Sequence, residues 1–156
     1  MKTQTIISEL THDDLVNLFS TATYGSNYLG AGYSFSPDLE ECETLEDAIA
    51  ESLLKGRTVR VTDFQAEGSV FGSLAHEIDS DDESVTYTVT LDDIKNGLAK
   101  AADGTFKSSS IEFAHSERDF AKRAFNAFAD EESCDFDLTY GDCLMQIILF
   151  NEIIYG

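Results

Sequence analysis

Positive charge is scarce in this sequence: its 156 residues include 10 Lys and Arg against 30 Asp and Glu, a formal net charge of −20 with histidine counted as neutral. Proteins that bind nucleic-acid phosphates or anionic membrane surfaces do so mainly through Lys and Arg. The deficit therefore argues against nucleic acid and membranes as direct ligands. It favours a basic partner, a cation or simple solubility.

Other absences narrow the class of protein. No run approaches the ~20 apolar residues of a membrane span, and residues 1–8 lack the apolar core of a secretory signal, so we expect a cytoplasmic protein. Three cysteines form neither an even set nor a CxxC pair, which suits reduced thiols. A single proline and no Gly/Ser-rich linker, with a hydrophobic content of 42%, predict one compact domain over residues 1–156.

The strongest local pattern is a hydroxyl residue followed three positions later by Asp, just before apolar residues. It occurs at Thr11–Asp14, Thr44–Asp47, Thr90–Asp93 and Ser116–Asp119. The hydroxyl can accept from an orphan amide of the first helical turn, and the acids complement the positive end of the helix dipole. Each pattern therefore predicts a helix start, with ends at Tyr24–Gly25, Lys55–Gly56, before Gly104 and at Asp130.

A fifth helix is predicted from near Asp137, and its residues 144–154 are apolar nearly all round, which indicates central burial or a covering partner. Alternation with period two predicts strands at Val59–Val61 and Val85–Val89. Weaker patterns lie at 31–35, 70–74 and 111–113, and a hairpin could form through Gly68. Together these predict an α+β fold of about five helices with a small, mainly antiparallel sheet.

Catalytic and metal motifs are absent. Neither GxSxG nor HExxH occurs, and an acidic environment raises the pKa of a thiol, which works against Cys134 as a nucleophile. Asp79 to Glu83 offer acids at alternate positions, but an EF-hand would need Gly and Glu where Ser84 and Thr90 stand. We therefore predict a non-enzymatic protein without cofactor or metal.

The acids that capping does not explain fall into three blocks in predicted loops or helix edges. Candidate partner-binding residues are Asp38, Glu40, Glu41 and Glu43 in the first block, Glu77, Asp79, Asp81, Asp82 and Glu83 in the second, and Asp130, Glu131, Glu132, Asp135 and Asp137 in the third. Clustered like charges repel one another. Three explanations are solvation, mimicry of a nucleic acid, and neutralisation of one basic partner, as by an antitoxin or immunity protein.

Several segments resemble small acidic proteins carried by bacterial phages and conjugative elements. They are residues 21–26 after the first helix, 59–63 in a strand, 91–98 at the start of the third helix, and 153–156. In size and charge the chain is also similar to the acidic inhibitors that such elements use against restriction and CRISPR systems, several of which mimic DNA. The resemblance implies a mobile-element origin and assigns no functional residue.

The leading hypothesis is an inhibitor that binds a basic, nucleic-acid-binding host defence protein by charge mimicry, with Tyr28, Tyr33 or Phe136 as aromatic anchors. One alternative is a small enzyme or ligand-binding domain whose dispersed site uses His76 or His115. Another is a homo-oligomeric assembly protein, for instance a homodimer that packs through residues 144–154.

Overall fold

The computed structural model describes residues 2–24, 26–108, 112–130 and 134–155, and these form an α+β fold. The α-helices are α1 (Lys2–Ser8), α2 (His12–Phe19), α3 (Leu45–Leu54), α4 (Leu91–Asp103), α5 (Ala114–Ala129) and α6 (Leu138–Phe150). The strands are β1 (Leu29–Tyr33), β2 (Val59–Asp63), β3 (His76–Asp79) and β4 (Ser84–Val89). A π-helical turn (Ser20–Tyr24) continues α2, and a 3-10 turn (Pro37–Leu39) precedes α3.

Three of the four predicted hydroxyl caps are confirmed. Thr11 and Thr90 close complete capping boxes with Asp14 and Asp93, so Asp is long enough for this role. Thr44 accepts from the backbone amide of Asp47, but the box is incomplete. The Ser116 cap is wrong: the N-cap of α5 is Phe113, three residues earlier, and it makes no side-chain hydrogen bond.

Three helix boundaries also lie where the sequence predicts them. Gly104 adopts φ 70° directly after α4, and Gly56 adopts φ 79° after the Lys55 cap of α3. These left-handed conformations favour glycine, which carries no Cβ. α6 begins at the Asp137 cap, as expected from the sequence.

The sheet has the strand order β1-β2-β4-β3, and each neighbouring pair is antiparallel. Its inner face places Val61 opposite Tyr87 and Val59 opposite Val89, all of them buried. Alternation of these residues with Thr and Arg made β2 and β4 predictable.

Other strand predictions differ from the structure. The hairpin through Gly68 is wrong, since β2 pairs with β4 and residues 64–75, which connect β2 to β3, form a loop. Residues 70–74 form no strand; instead the backbone amide of Phe71 donates to the Tyr87 hydroxyl over 3.1 Å. β1 ends at Tyr33 rather than near residue 35, and Phe113 lies in a turn, while Ile111 is outside the described residues. Neither α1 nor β3 was predicted.

α6 lies at the centre of the helical layer and packs against α4, α5 and the π-helical turn. A Cβ on Gly97 of α4 would stand 2.6 Å from the Cα of Ile148, and one on Gly141 would stand 3.1 Å from the backbone carbon of Thr21. These glycines let the backbones approach closely. Residues 143–150 are all buried within one chain, which explains why this helix is apolar nearly all round.

Candidate functional site

Five predicted acids of the second block lie together at one corner of the sheet, and we call them the acidic edge. Glu77 and Asp79 lie in β3, whereas Asp81, Asp82 and Glu83 form the turn to β4. All five are exposed. None of them belongs to an ion pair in the part of the chain that the structure describes, so their charges are not compensated internally.

Side chains of the acidic edge fix the local turn themselves. The Asp79 carboxylate accepts from the backbone amide of Asp81 over 2.9 Å, and that of Asp82 accepts from the amide of Ser84 over 3.0 Å. Hydrogen bonding from the Ser84 side chain, and then from its backbone amide, holds the pKa of Asp82 below its usual range. Glu83 adopts φ 59°, which completes the reversal. The turn therefore concentrates negative charge while it satisfies its own backbone.

β3 is an outer strand of the sheet, because it neighbours only β4 in the strand order. Its Ile78 side chain is 52% exposed between the acids Glu77 and Asp79. Charges on an outer strand hinder unwanted pairing with another chain. This position gives Glu77 and Asp79 a structural reason to be acidic, but it does not account for the three acids of the turn.

The first acidic block is partly compensated by cations of the same chain. The Asp38 carboxylate accepts from Arg57 through two bonds of 3.0 Å and from Lys55 over 2.8 Å. Arg57 and Lys55 hold the pKa of Asp38 well below its usual range. Glu40, Glu41 and Glu43 are exposed in the segment that leads to α3. Asp38 is therefore a weaker candidate for partner contact than its exposure suggests.

His12 links α2 to the same region. Its two ring nitrogens lie 3.0 Å from Asp47 and 2.9 Å from Glu51, both in α3. Because carboxylates only accept, both nitrogens must donate, which is the protonated imidazolium. The hydrogen bond to Asp47, supported by Glu51, raises the pKa of His12, and in turn lowers that of Asp47. This contact also explains why Asp47 does not close a capping box with Thr44.

The third acidic block borders an open cavity of about 610 Å³ between α5 and the start of α6. Asp130, Asp135 and Asp137 line it, and so does Arg123, whose guanidinium stands 5.7 Å from the centre of the Phe120 ring. Asp137 caps α6 by accepting from the amide of Tyr140. Glu131 and Glu132 lie outside the described residues. The block thus contains a structural cap and a neighbouring cation.

None of the predicted aromatic anchors is exposed. Tyr28 is buried, and Tyr33 and Phe136 are half-buried. The most exposed aromatic side chains that the structure describes are instead Phe35 at 71%, and Phe64 and Phe113 at 57% each. The anchor prediction is therefore wrong for Tyr28, whose hydroxyl is directed into the protein.

Neither histidine candidate for a dispersed site lines a cavity described above or below. His76 is exposed in β3, where Nδ1 lies 3.1 Å from the carbonyl oxygen of Leu74, and His115 is exposed near the start of α5. The cysteines are free thiols: Cys134 is exposed, Cys42 half-buried and Cys143 buried. Burial raises the pKa of Cys143 to about 12, which makes it a poor nucleophile.

Sequence reasoning missed a polar network between the sheet and α6. Asp63 at the end of β2 is fully buried, and its carboxylate accepts from the Tyr155 hydroxyl over 2.8 Å and from the amide of Gln65 over 2.9 Å. Burial and this hydrogen bond raise the pKa of Tyr155, so the hydroxyl remains a donor at neutral pH. Asp63 shares the inward phase of Val59 and Val61, which is the one signal of burial that the sequence offers.

A second carboxylate, that of Asp142 in α6, extends the network. It accepts from the Tyr28 hydroxyl and, over 2.7 Å, from the side-chain amide of Gln146. The Gln146 amide oxygen accepts from the backbone amides of Ile154 and Tyr155, each over 2.8 Å. Burial, followed by the bond to Asp142, raises the pKa of Tyr28. Gln146 thereby fixes the segment after α6 beside the two carboxylates.

Two structural findings and the comparison with known proteins complete the description. Among the described residues, no cluster of three or more His, Cys, Asp or Glu is arranged to hold a metal ion. Within the same residues, every helix is too short or too polar to cross a membrane. No protein-family model, curated protein or solved structure matches this chain.

Proposed function

We propose that this chain is a non-enzymatic acidic protein that binds a basic, nucleic-acid-binding protein and occludes the groove that nucleic acid would occupy. The observation that supports the proposal is the acidic edge, in which five exposed carboxylates share one corner of the fold and form no ion pair with the residues that the structure describes. Such a concentration of uncompensated charge is costly through self-repulsion. A cationic groove would relieve that cost on binding.

The spacing of the acids suits a groove that binds phosphates. Glu77 and Asp79 are two residues apart on one strand, a separation of roughly 6.6 Å between neighbouring side chains of the same face. Long-range attraction between such an edge and a basic groove accelerates association and weakens as salt increases. Both properties are those of a competitor for nucleic acid.

Affinity also needs contacts other than charge, because an exposed ion pair contributes only about 0 to 1 kcal/mol. Ile78, between Glu77 and Asp79 in β3, points to the opposite face of the strand, and its 52% exposure provides apolar surface beside the acidic edge. Full burial of an exposed aliphatic side chain contributes about 1.5 to 3 kcal/mol, so covering the exposed part of Ile78 contributes roughly half of that. We therefore assign the main contact to the acidic edge and Ile78, with Glu40, Glu41 and Glu43 as an outer electrostatic region.

The proposed partner is a defence protein of a bacterial host, and the proposed compartment is the cytoplasm. The assignment of the partner to a bacterial host follows from the resemblance to acidic proteins of phages and conjugative elements. The test is retention of proteins from a host lysate on the immobilised chain at low salt, followed by stepwise salt and by duplex DNA. Recovery of a basic nucleic-acid-binding protein that DNA displaces supports the proposal; retained proteins that DNA does not displace, or no retention, contradict it.

A further inference from the structure

A cavity of about 580 Å³ opens beside the buried polar network, between the loop before β1, the start of α6 and the segment after α6. Tyr28 and Tyr155 line it together with the carboxylate of Asp142, and Leu138 and Ile154 add apolar surface. A volume of this size accommodates a small ligand, and a few convergent polar groups in a partly apolar wall are typical of a binding site.

The charge of the cavity is one-sided. Its lining contains the Asp142 carboxylate and no Lys, Arg or His. By contrast, the cavity beside the third block includes Arg123, and the one beside the first block includes His12 and Lys55. A positive group that entered the Tyr28–Tyr155 cavity would therefore meet the Asp142 carboxylate, which forms no ion pair within the described part of the chain.

Asp142 retains capacity to bind such a group. Each of its two oxygens accepts one hydrogen bond, from Tyr28 and from Gln146, whereas an ionised carboxylate offers about four acceptor positions. Asp63 adds a second negative charge behind the Tyr155 hydroxyl. Asp137, the N-cap of α6, interacts with the positive end of that helix's dipole and accepts from the Tyr140 amide.

Tyr28 and Tyr155 give the cavity an aromatic wall. Their rings meet edge to face with centroids 4.9 Å apart, and Gln146 holds the backbone that carries Tyr155. Planar guanidinium groups stack on aromatic rings and bind carboxylates through several parallel donors. Leu138 and Ile154 can pack against an aliphatic stem.

We infer that the Tyr28–Tyr155 cavity is a binding site for an alkylguanidinium group, with Asp142 as its anionic contact. The site is distinct from the acidic edge, and guanidinium binding to it does not require a basic partner at the acidic edge. The guanidinium can belong to an arginine of a protein or to a free small molecule.

The test is an NMR titration of the ¹⁵N-labelled full chain with n-butylguanidinium, and with neutral n-butylurea as its isostere. We expect saturable shifts at Asn27, Gln65, Leu138 and Tyr155 with the cation, and at least about tenfold weaker binding of n-butylurea. Equal binding of the two probes, or unsaturable shifts spread over the acidic edge, would overturn the assignment.

Two variants with matched controls locate the contact. Asp142→Asn should weaken n-butylguanidinium binding by about tenfold or more, whereas Asp103→Asn, which removes the same charge at the exposed end of α4, should change it by less than about twofold. Because Asp142 also holds Tyr28, a second variant leaves the network intact. Asn27→Lys places a cation at the exposed mouth of the cavity and should abolish binding, whereas Asn96→Lys on α4 should not. Unchanged affinity in Asn27→Lys would refute the site.

A capped peptide, acetyl-Gly-Arg-Gly-amide, distinguishes the two sources of the ligand. Binding at the same residues at least as tight as that of n-butylguanidinium assigns the site to a protein arginine. Binding of n-butylguanidinium without the peptide assigns it to a free small molecule. The experiment needs neither the partner nor the acidic edge, so its failure would leave the proposed function unaffected.

Discussion

Replacement of Tyr155 by Phe tests the buried network at a single hydroxyl. The ring can keep its edge-to-face contacts with Tyr28 and Phe150, while the Asp63 carboxylate loses one of its two hydrogen bonds. Water cannot replace the lost donor readily, because Asp63 has no exposed surface. Hydrogen bonds to charged groups contribute about 1.5 to 3 kcal/mol, so we expect the free energy of unfolding to fall by about 2 kcal/mol.

Urea denaturation at neutral pH measures this loss directly, and thermal unfolding should show a Tm lower by about 4 to 8 °C for a chain of this size. Tyr140→Phe is the matched control. Its ring packs against Phe120, and its hydroxyl has no hydrogen bond to the described residues. It should change stability by less than about 0.5 kcal/mol.

A double-mutant cycle with Asp63→Asn identifies the partner of the hydroxyl. Tyr155→Phe should cost at least about 1 kcal/mol less in the Asp63→Asn background than in the parent, because the acceptor is no longer charged. The raised pKa of Tyr155 makes the contribution fully present below pH 10 and lost as the pH rises further. An equal cost in both backgrounds, or no cost in the parent, would refute the assigned contact.

Three further predictions concern other parts of the fold. The protonated His12 stabilises the protein fully below about pH 6.5, and this stabilisation is lost as the pH rises through the raised pKa of the folded state. The melting temperatures of the parent and of His12→Gln should therefore converge at alkaline pH. A difference that stays constant with pH would contradict the ion pairs of His12. Gly97→Ala should reduce the free energy of unfolding by about 1 to 3 kcal/mol, because the new Cβ overlaps the backbone of α6. Asn96→Ala, on the exposed side of α4, is the control and should not reduce it. Equal urea midpoints for the two variants would exclude the close approach of α4 and α6. Glu77→Thr with Asp79→Thr should promote self-association at the outer strand, as measured by light scattering, and a strictly unchanged mass at high concentration would exclude the protective role of these charges.

Local chemistry made much of the helical layer predictable. The Thr11 and Thr90 caps require only residues three positions away, and Gly104 marks a helix end through its own backbone. The same pattern at Ser116 failed because α5 already begins after Phe113, where the amide of Glu117 donates to the Phe113 carbonyl. A cap motif therefore predicts a helix nearby better than it predicts the first residue.

Long-range pairing explains what the sequence could not reveal. Every residue of β3 is exposed, so the strand has no apolar alternation and exists because β4 pairs with it. Asp63 and Tyr155 are 92 positions apart, and no local motif connects them. The acidic edge was visible as a block of acids, but only the fold separates its uncompensated charges from Asp38, which Lys55 and Arg57 neutralise.

Competition for immobilised duplex DNA tests the proposed function most directly. Two variants each remove four negative charges: the edge variant changes Glu77→Gln, Asp79→Asn, Asp81→Asn and Asp82→Asn, and the dispersed control changes Glu9→Gln, Asp92→Asn, Asp103→Asn and Asp119→Asn. The new Asn side chains at positions 79 and 82 can still accept the turn hydrogen bonds now made by Asp79 and Asp82. Net charge is therefore matched while its position differs.

The measurement is the concentration of each protein that displaces a basic host protein from the DNA. We predict displacement by the parent and the dispersed control at similar concentrations, and a requirement for at least about tenfold more of the edge variant, a loss of about 1.4 kcal/mol. Equal displacement by the two variants would show that total charge rather than the acidic edge acts. No displacement by the parent would contradict nucleic-acid mimicry.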